Sequence, residues 1–267
     1  MNWGTCSRIG RRQAALSAAA SVLVRALPAK AEPKPAWTAL PPTPGRPAGA
    51  IQHVLRLRDT TLAVWELGAG PPVVMLHGGM ANADWWAHQA VALARTHRVL
   101  NIDTRGHGRS PLPPGRFGYG IFAADTVAVM DALSIPRAHI GGWSDGAIAG
   151  LRLAIDHPER IASLFSFGAN FDATGTIAAG ASAPIFAAFA SRCRAEHKRM
   201  NPRPADWDRL HDRLRQLWRE EPRFARADLA RVACPTTVYA AAHDEIIRLA
   251  DAAGIPMVFT HRRHFRR

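Results

Sequence analysis

Between residues 137 and 157 the chain runs from a short apolar stretch, Arg137-Ala138-His139-Ile140-Gly141, through Gly142-Trp143-Ser144-Asp145-Gly146, into a segment with apolar residues at helical spacing up to His157. Strand, G-x-S-x-G, helix is the pattern of a nucleophile elbow. A serine on so sharp a turn holds a strained backbone conformation, and the flanking glycines leave room where a side chain would strike the neighbouring strand or helix. This pattern commits the surrounding chain to alternating strands and helices, with the serine hydroxyl lifted out of the end of a sheet.

Two upstream segments support that frame. Pro72-Val73-Val74-Met75-Leu76 is a continuous apolar run suited to a central parallel strand, and it ends in His77-Gly78-Gly79-Met80. A glycine turn there can aim backbone N–H groups at the oxyanion of a tetrahedral intermediate. The expected donors are Gly79, with Met80 as the other possibility, and Asp145, the residue after the serine. A second short apolar strand precedes Asn101-Ile102-Asp103-Thr104-Arg105-Gly106-His107-Gly108-Arg109-Ser110.

With the H-G-G turn, the D-x-R-G-x-G-x-S loop and the GWSDGA elbow in this order, residues 51 to 250 resemble the α/β-hydrolase family, in its serine esterase and lactonase branch. The resemblance implies the chain order nucleophile, acid, histidine, with Ser144 as nucleophile. Asp244, after the apolar run Pro235 to Ala240, is the expected acid, and Asp172, after Ile161 to Phe167, is the alternative. The family's histidine follows one more strand, for which Gly254 to Thr260 is the available segment. His264 is the expected base, since His264-Phe265 echoes a frequent family pair, and His261 is the alternative. The chain departs from the family here, because the tail from His261 to Arg267 lacks the apolar spacing of a closing helix. His77 and His107 are read as supports of loop geometry and His243 as an exposed or capping residue, with Trp143, beside the nucleophile, and Met80 as substrate-contacting ones. Trp85, Trp86, Trp207 and Trp218 are read as packing residues.

The expected fold is α/β, a mostly parallel sheet with helices on both faces. Strands are predicted near 53–58, 61–67, 72–76, 98–102, 137–141, 161–167 and 235–240, the first two forming an antiparallel hairpin, and helices near 84–95, 119–133 and 146–156. Between about 170 and 227, Pro184 to Arg199 and Asp206 to Glu220 have helical spacing bounded by prolines, which predicts a helical lid over the elbow. The hydrophobic share of 48% over 267 residues suits one catalytic domain, residues 51–267.

Residues 1–31 read as an export signal of twin-arginine type. Arg11-Arg12 precede a weakly apolar run too short to span a bilayer, and Ala29-Lys30-Ala31 offers an A-x-A cleavage site. A Pro/Ala-rich linker, 32–50, follows, and the expected location is periplasmic, or cytoplasmic if this segment is not a signal. The net charge of +13 is concentrated at the two ends and otherwise scattered, so no nucleic-acid partner is expected. No stable membrane anchor is expected either. Cys193 and Cys234 are expected to be separate thiols. No spacing among histidines, cysteines and acids suggests a metal, and no cofactor is expected.

The composite reading is a serine hydrolase of a small carboxylic ester or lactone acting through an acyl-enzyme. Two alternatives stand beside it: a catalytically impaired α/β-hydrolase-like protein, and a cofactor-free perhydrolase. Asp145 is expected near the mouth of the site, where its charge would favour cationic substrates.

Overall fold

The computed structural model describes residues 38–241 and 243–248, which lie in one compact unit. Their strands are β1 (Ile51–Arg56), β2 (Thr61–Leu67), β3 (Pro72–Leu76), β4 (Arg98–Ile102), β5 (Ala138–Trp143), β6 (Ile161–Phe167) and β7 (Thr236–Tyr239). They form one sheet in the order β1-β2-β4-β3-β5-β6-β7. β2 is antiparallel to β1 and to β4, and every other pairing is parallel. The predicted hairpin, each predicted strand and the α/β class are therefore present, with strand ends shifted by at most two residues.

Parallel strands buried on both faces read as unbroken apolar runs. In β3 successive side chains serve opposite faces, as the two-residue period of a strand requires. Val73 and Met75 pack with Trp65, Trp86 and Ala90 on one side, and Val74 and Leu76 with Leu100, Ile140 and Leu151 on the other. The first side is covered by α1 (Ala87–Leu93). The second is covered by α2 (Tyr119–Ala132) and α3 (Asp145–Asp156). The chain passes from β3 through α1 to β4 on one flank and then from β4 through α2 back across β3 to β5 on the other, so the sheet reverses its winding beside the carboxyl end of β3. In open α/β sheets such a reversal leaves a crevice for ligands.

Between β6 and β7 the chain forms α4 (Pro184–Met200) and α5 (Trp207–Glu220), then the short α6 (Arg226–Leu229). α5 buries Trp207, Leu210, Leu214 and Leu217, one stripe at helical spacing. Two buried polar contacts hold this insertion to the core. The Glu196 carboxylate on α4 accepts from Asn82 Nδ2 at 2.7 Å and Trp85 Nε1 at 3.0 Å, and Asn201 Nδ2 donates to the Gly108 and Ser110 carbonyls, each at 2.9 Å. The insertion in turn caps the core, since Glu221 accepts from the backbone N–H of Tyr119 at the start of α2. Farther toward the amino terminus, Arg192 donates to the Leu40 and Pro41 carbonyls.

Cys193 and Cys234 are buried free thiols, as expected. No helix among the described residues is long and apolar enough to cross a membrane. The export segment 1–31, the segment 254–260 and both His261 and His264 lie outside the described residues.

Candidate active site

Ser144 joins β5 to α3 with φ 51° and ψ −120°, a left-handed conformation that a side-chain-bearing residue holds only under constraint from its surroundings. The constraint is visible on both sides. The Ser144 N–H donates to the Phe167 carbonyl at 2.8 Å, and its own carbonyl accepts from Ala147 and Ile148 in the first turn of α3. At Gly146 a β-carbon would lie 2.2 Å from the Leu76 carbonyl oxygen, so only glycine lets α3 approach β3 this closely. The N–H of Asp145 falls in the first helical turn, where it has no partner within the helix.

The turn after β3 closes over this point. Met80 has φ 65°, and at Gly79 a β-carbon would stand 2.5 Å from the Asp145 Oδ2. His77 fastens the turn, its Nδ1 donating to the Gly78 carbonyl at 2.8 Å and its Nε2 accepting from the Thr104 N–H at 3.1 Å. Burial lowers the pKa of His77, and that of His107 further, with the neighbouring His77 adding to the second effect. Both rings are neutral supports, as the sequence reading assigns them. The D-x-R-G-x-G-x-S loop is likewise scaffold. Asp103 accepts from the Ala83 and Arg109 N–H groups and from the Arg109 guanidinium, while Arg105 pairs with buried Asp125 at 2.6 Å.

Ser144, Gly79, Met80, Trp143 and Asp244 all line one cavity of about 880 Å³. Asp244 follows β7, and its Oδ1 accepts from the N–H groups of Ile246 and Ile247 at 2.9 Å each. It therefore caps a turn, and it faces the cavity as well, its Oδ2 being 3.7 Å from where a β-carbon of Gly168 would lie. Asp172 is elsewhere. Its Oδ1 accepts from Thr174 N and Oγ1 at 2.9 and 2.7 Å, and it is not part of the cavity wall, so the alternative acid is a local cap. His243 is exposed beside Asp244.

Asp145 departs from expectation. It is only 6% exposed, beneath the cavity rather than at its mouth. The Trp218 indole donates to Oδ1 at 2.9 Å and Oδ2 at 3.0 Å, and the Tyr119 hydroxyl donates to Oδ1 at 3.0 Å. Burial pushes this carboxyl up to about 6, against the lowering from the Trp218 and Tyr119 hydrogen bonds. Both oxygens being taken by neutral donors from α5 and α2, the side chain is not presented to a cationic substrate. The tryptophans also divide. Trp86 and Trp207 are core residues, whereas Trp85 and Trp218 line the cavity. Trp85 packs against Trp143 and Phe189 with centroids 5.8 and 5.1 Å away. Tyr119, Phe189 and Trp218 carry no motif, and the one signal that could have pointed to Trp218 is the apolar stripe of α5 read together with the elbow.

Among the described residues no cluster of histidine, cysteine and acid groups is arranged to hold a metal ion.

Residues 71–201 match the model of the alpha/beta hydrolase fold family. RutD of Caulobacter segnis, assigned by name to carbamate hydrolysis, is 44% identical over 99 residues, 36% of this chain and 37% of that protein. A pimeloyl-[acyl-carrier protein] methyl ester esterase of Aeromonas hydrophila is 37% identical over 107 residues, 40% of this chain and 41% of that protein. The matched stretch thus spans well under half the length of these curated relatives. Across the larger part of the fold, the crystal structure of a hydrolase from Pseudomonas aeruginosa superposes with a TM-score of 0.61 at 26% identity, covering 80% of this chain and 88% of that one. With its sheet order, its elbow and these matches, the chain belongs to the α/β-hydrolase fold family.

Proposed function

We propose that the protein is a serine hydrolase of small carboxylic esters or lactones. The observation that carries this reading is Ser144, held at positive φ on the elbow and opening into the cavity that Asp244 also lines. In this reading a histidine takes the Ser144 Oγ proton as the oxygen attacks the carbonyl. The oxyanion is received by the N–H groups of Asp145 and Gly79, and the proton passes to the departing alcohol. Water then cleaves the acyl-enzyme by the reverse sequence of proton transfers. Asp244 orients the imidazole, and His264 is assigned as the base with His261 as its alternative. Trp143 and Met80 bound the acyl group. α4 and α5 act as the lid.

The test is labelling with an alkyl phosphonate. Purified full-length protein is expected to gain one covalent adduct at Ser144, absent from Ser144→Ala. A folded sample that takes up no label overturns the reading in favour of a catalytically impaired member of the family.

The motif in residues 1–31 supports a separate proposal of export to the periplasm. Mature protein from the native host is then expected to begin at Glu32, and a full-length amino terminus in the active pool overturns it.

A further inference from the structure

α5 presents a second stripe beside its buried one. His211, Arg215 and Trp218, spaced four and three residues apart, share a face, and with Arg219 they form one wall of the cavity. Along this helix Arg209 pairs with Asp206 at 3.0 Å, Asp208 with Arg194 at 3.5 Å and Glu220 with Arg116, Arg213 donates to the Pro113 carbonyl, and Asp212 is exposed. Arg215 and Arg219 are exposed at the cavity and have no ion-pair partner among the described residues.

None of the carboxylates lining the same cavity forms an ion pair with these two, and three of them accept hydrogen bonds from other groups. Asp145 is taken up by Trp218 and Tyr119, Asp244 by the N–H groups of Ile246 and Ile247, and Glu221 by the N–H of Tyr119. Glu245 is exposed on the segment after β7. The wall contributed by α4, with Ile185, Phe186 and Phe189, is apolar. Trp218 fixes the separation of the two arginines from the nucleophile. Its indole is bonded to the residue after Ser144, which holds this turn of α5 above the elbow, with Arg215 one helical turn away.

We propose that Arg215 and Arg219 form a subsite for a carboxylate carried by the substrate, separated by a short apolar chain from the carbonyl that Ser144 attacks. This deepens the hydrolase reading and rests on it. Arginine suits the role because its planar fork can donate two parallel hydrogen bonds to a carboxylate, and it keeps its charge at any working pH. A ligand carboxylate would supply the direct ion-pair partner that Arg215 and Arg219 lack among the described residues, Arg219 otherwise interacting with the adjacent Glu220, while its methylene chain covers the aromatic wall.

The test compares p-nitrophenyl hydrogen glutarate with p-nitrophenyl valerate, esters of equal acyl length that differ in ending on a carboxylate or a methyl group. In kcat/KM the parent is expected to prefer the glutarate by about tenfold at low salt, with the preference shrinking as salt is raised. In the double variant Arg215→Gln, Arg219→Gln, whose folding is checked by thermal melting, the ratio is expected to fall to about one. A parent ratio of one or below, or a ratio that survives the double substitution, overturns the subsite. A separate readout needs no catalysis. Calorimetric binding of glutarate monoanilide and valeranilide to full-length Ser144→Ala should favour the former by a similar factor, and equal or undetectable binding of both overturns the subsite. If the parent hydrolyses neither ester while the anilides are distinguished, the hydrolase reading fails and the subsite stands.

Discussion

The indole N–H of Trp218 reaches both carboxylate oxygens of Asp145, at 2.9 and 3.0 Å, and so ties the helical insertion to the residue that follows the nucleophile. The insertion and the elbow are therefore mechanically one unit.

The raised pKa of Asp145 has a consequence for stability. The folded protein holds this proton more tightly than the unfolded chain, whose carboxyl titrates near its ordinary 3.8. The contribution is fully present below pH 3.8 and is lost as pH rises through about 6. The difference is worth about 3 kcal/mol at most. Urea unfolding of the parent and Asp145→Asn at pH 4 and at pH 7 should show the parent losing stability relative to the variant by up to that amount. Parallel behaviour of the two would refute it.

Trp218→Phe removes the donor that serves both oxygens and leaves Tyr119 as the remaining side-chain donor. Because the Trp218 hydrogen bond lowers the Asp145 pKa, its loss moves the titration to higher pH. The stability loss should shift upward with it, and the variant should be destabilised at pH 7 by about 1–3 kcal/mol. Denaturant midpoints across pH 4 to 8 measure both effects.

Asp244 and Asp172 are separable. Under the hydrolase reading Asp244→Asn should reduce kcat on a short aryl ester by several orders of magnitude, since the histidine loses its orienting carboxylate. Asp172→Ala should cost only about 1 kcal/mol of stability through the lost Thr174 cap, with kcat little changed. The opposite ranking would return the role of acid to Asp172.

His264→Ala is expected to remove most activity and His261→Ala to be milder. Steady-state kinetics on the same ester decide between them, and the reverse order transfers the role of base to His261. Parental activity in both variants would detach the carboxyl-terminal histidines from the chemistry.

Glu196→Leu leaves the Asn82 amide and the Trp85 indole without their buried acceptor. A loss of about 2–4 kcal/mol is expected for the two orphaned donors, read from the urea midpoint. Trp85 also borders the cavity, so a rise in KM should accompany it.

The strands, the helices and Ser144 were legible because each rests on local information. β3 is an apolar run with a glycine turn behind it, α5 carries a 3.6-residue stripe, and the elbow is five adjacent residues whose sterics admit little else. Asp244 was legible as the acidic residue after the last described strand, a matter of order along the chain. The role of the Asp145 side chain was not. A carboxylate beside a nucleophile reads as solvated and available, and only the approach of Tyr119 and Trp218, 26 and 73 residues away, buries it and occupies its oxygens.

The sequence by itself thus determined the alternation of strands and helices, the strained position of the serine and the glycines that permit it, because these follow from backbone sterics and short-range periodicity. Tertiary structure alone decided which tryptophans face the cavity, which aspartate caps a turn away from it, and which arginines of α5 line the cavity without an ion-pair partner among the described residues. Those outcomes depend on contacts between residues distant in the chain. There the burial of a polar group and the donor that satisfies it are set by packing, which no local pattern encodes.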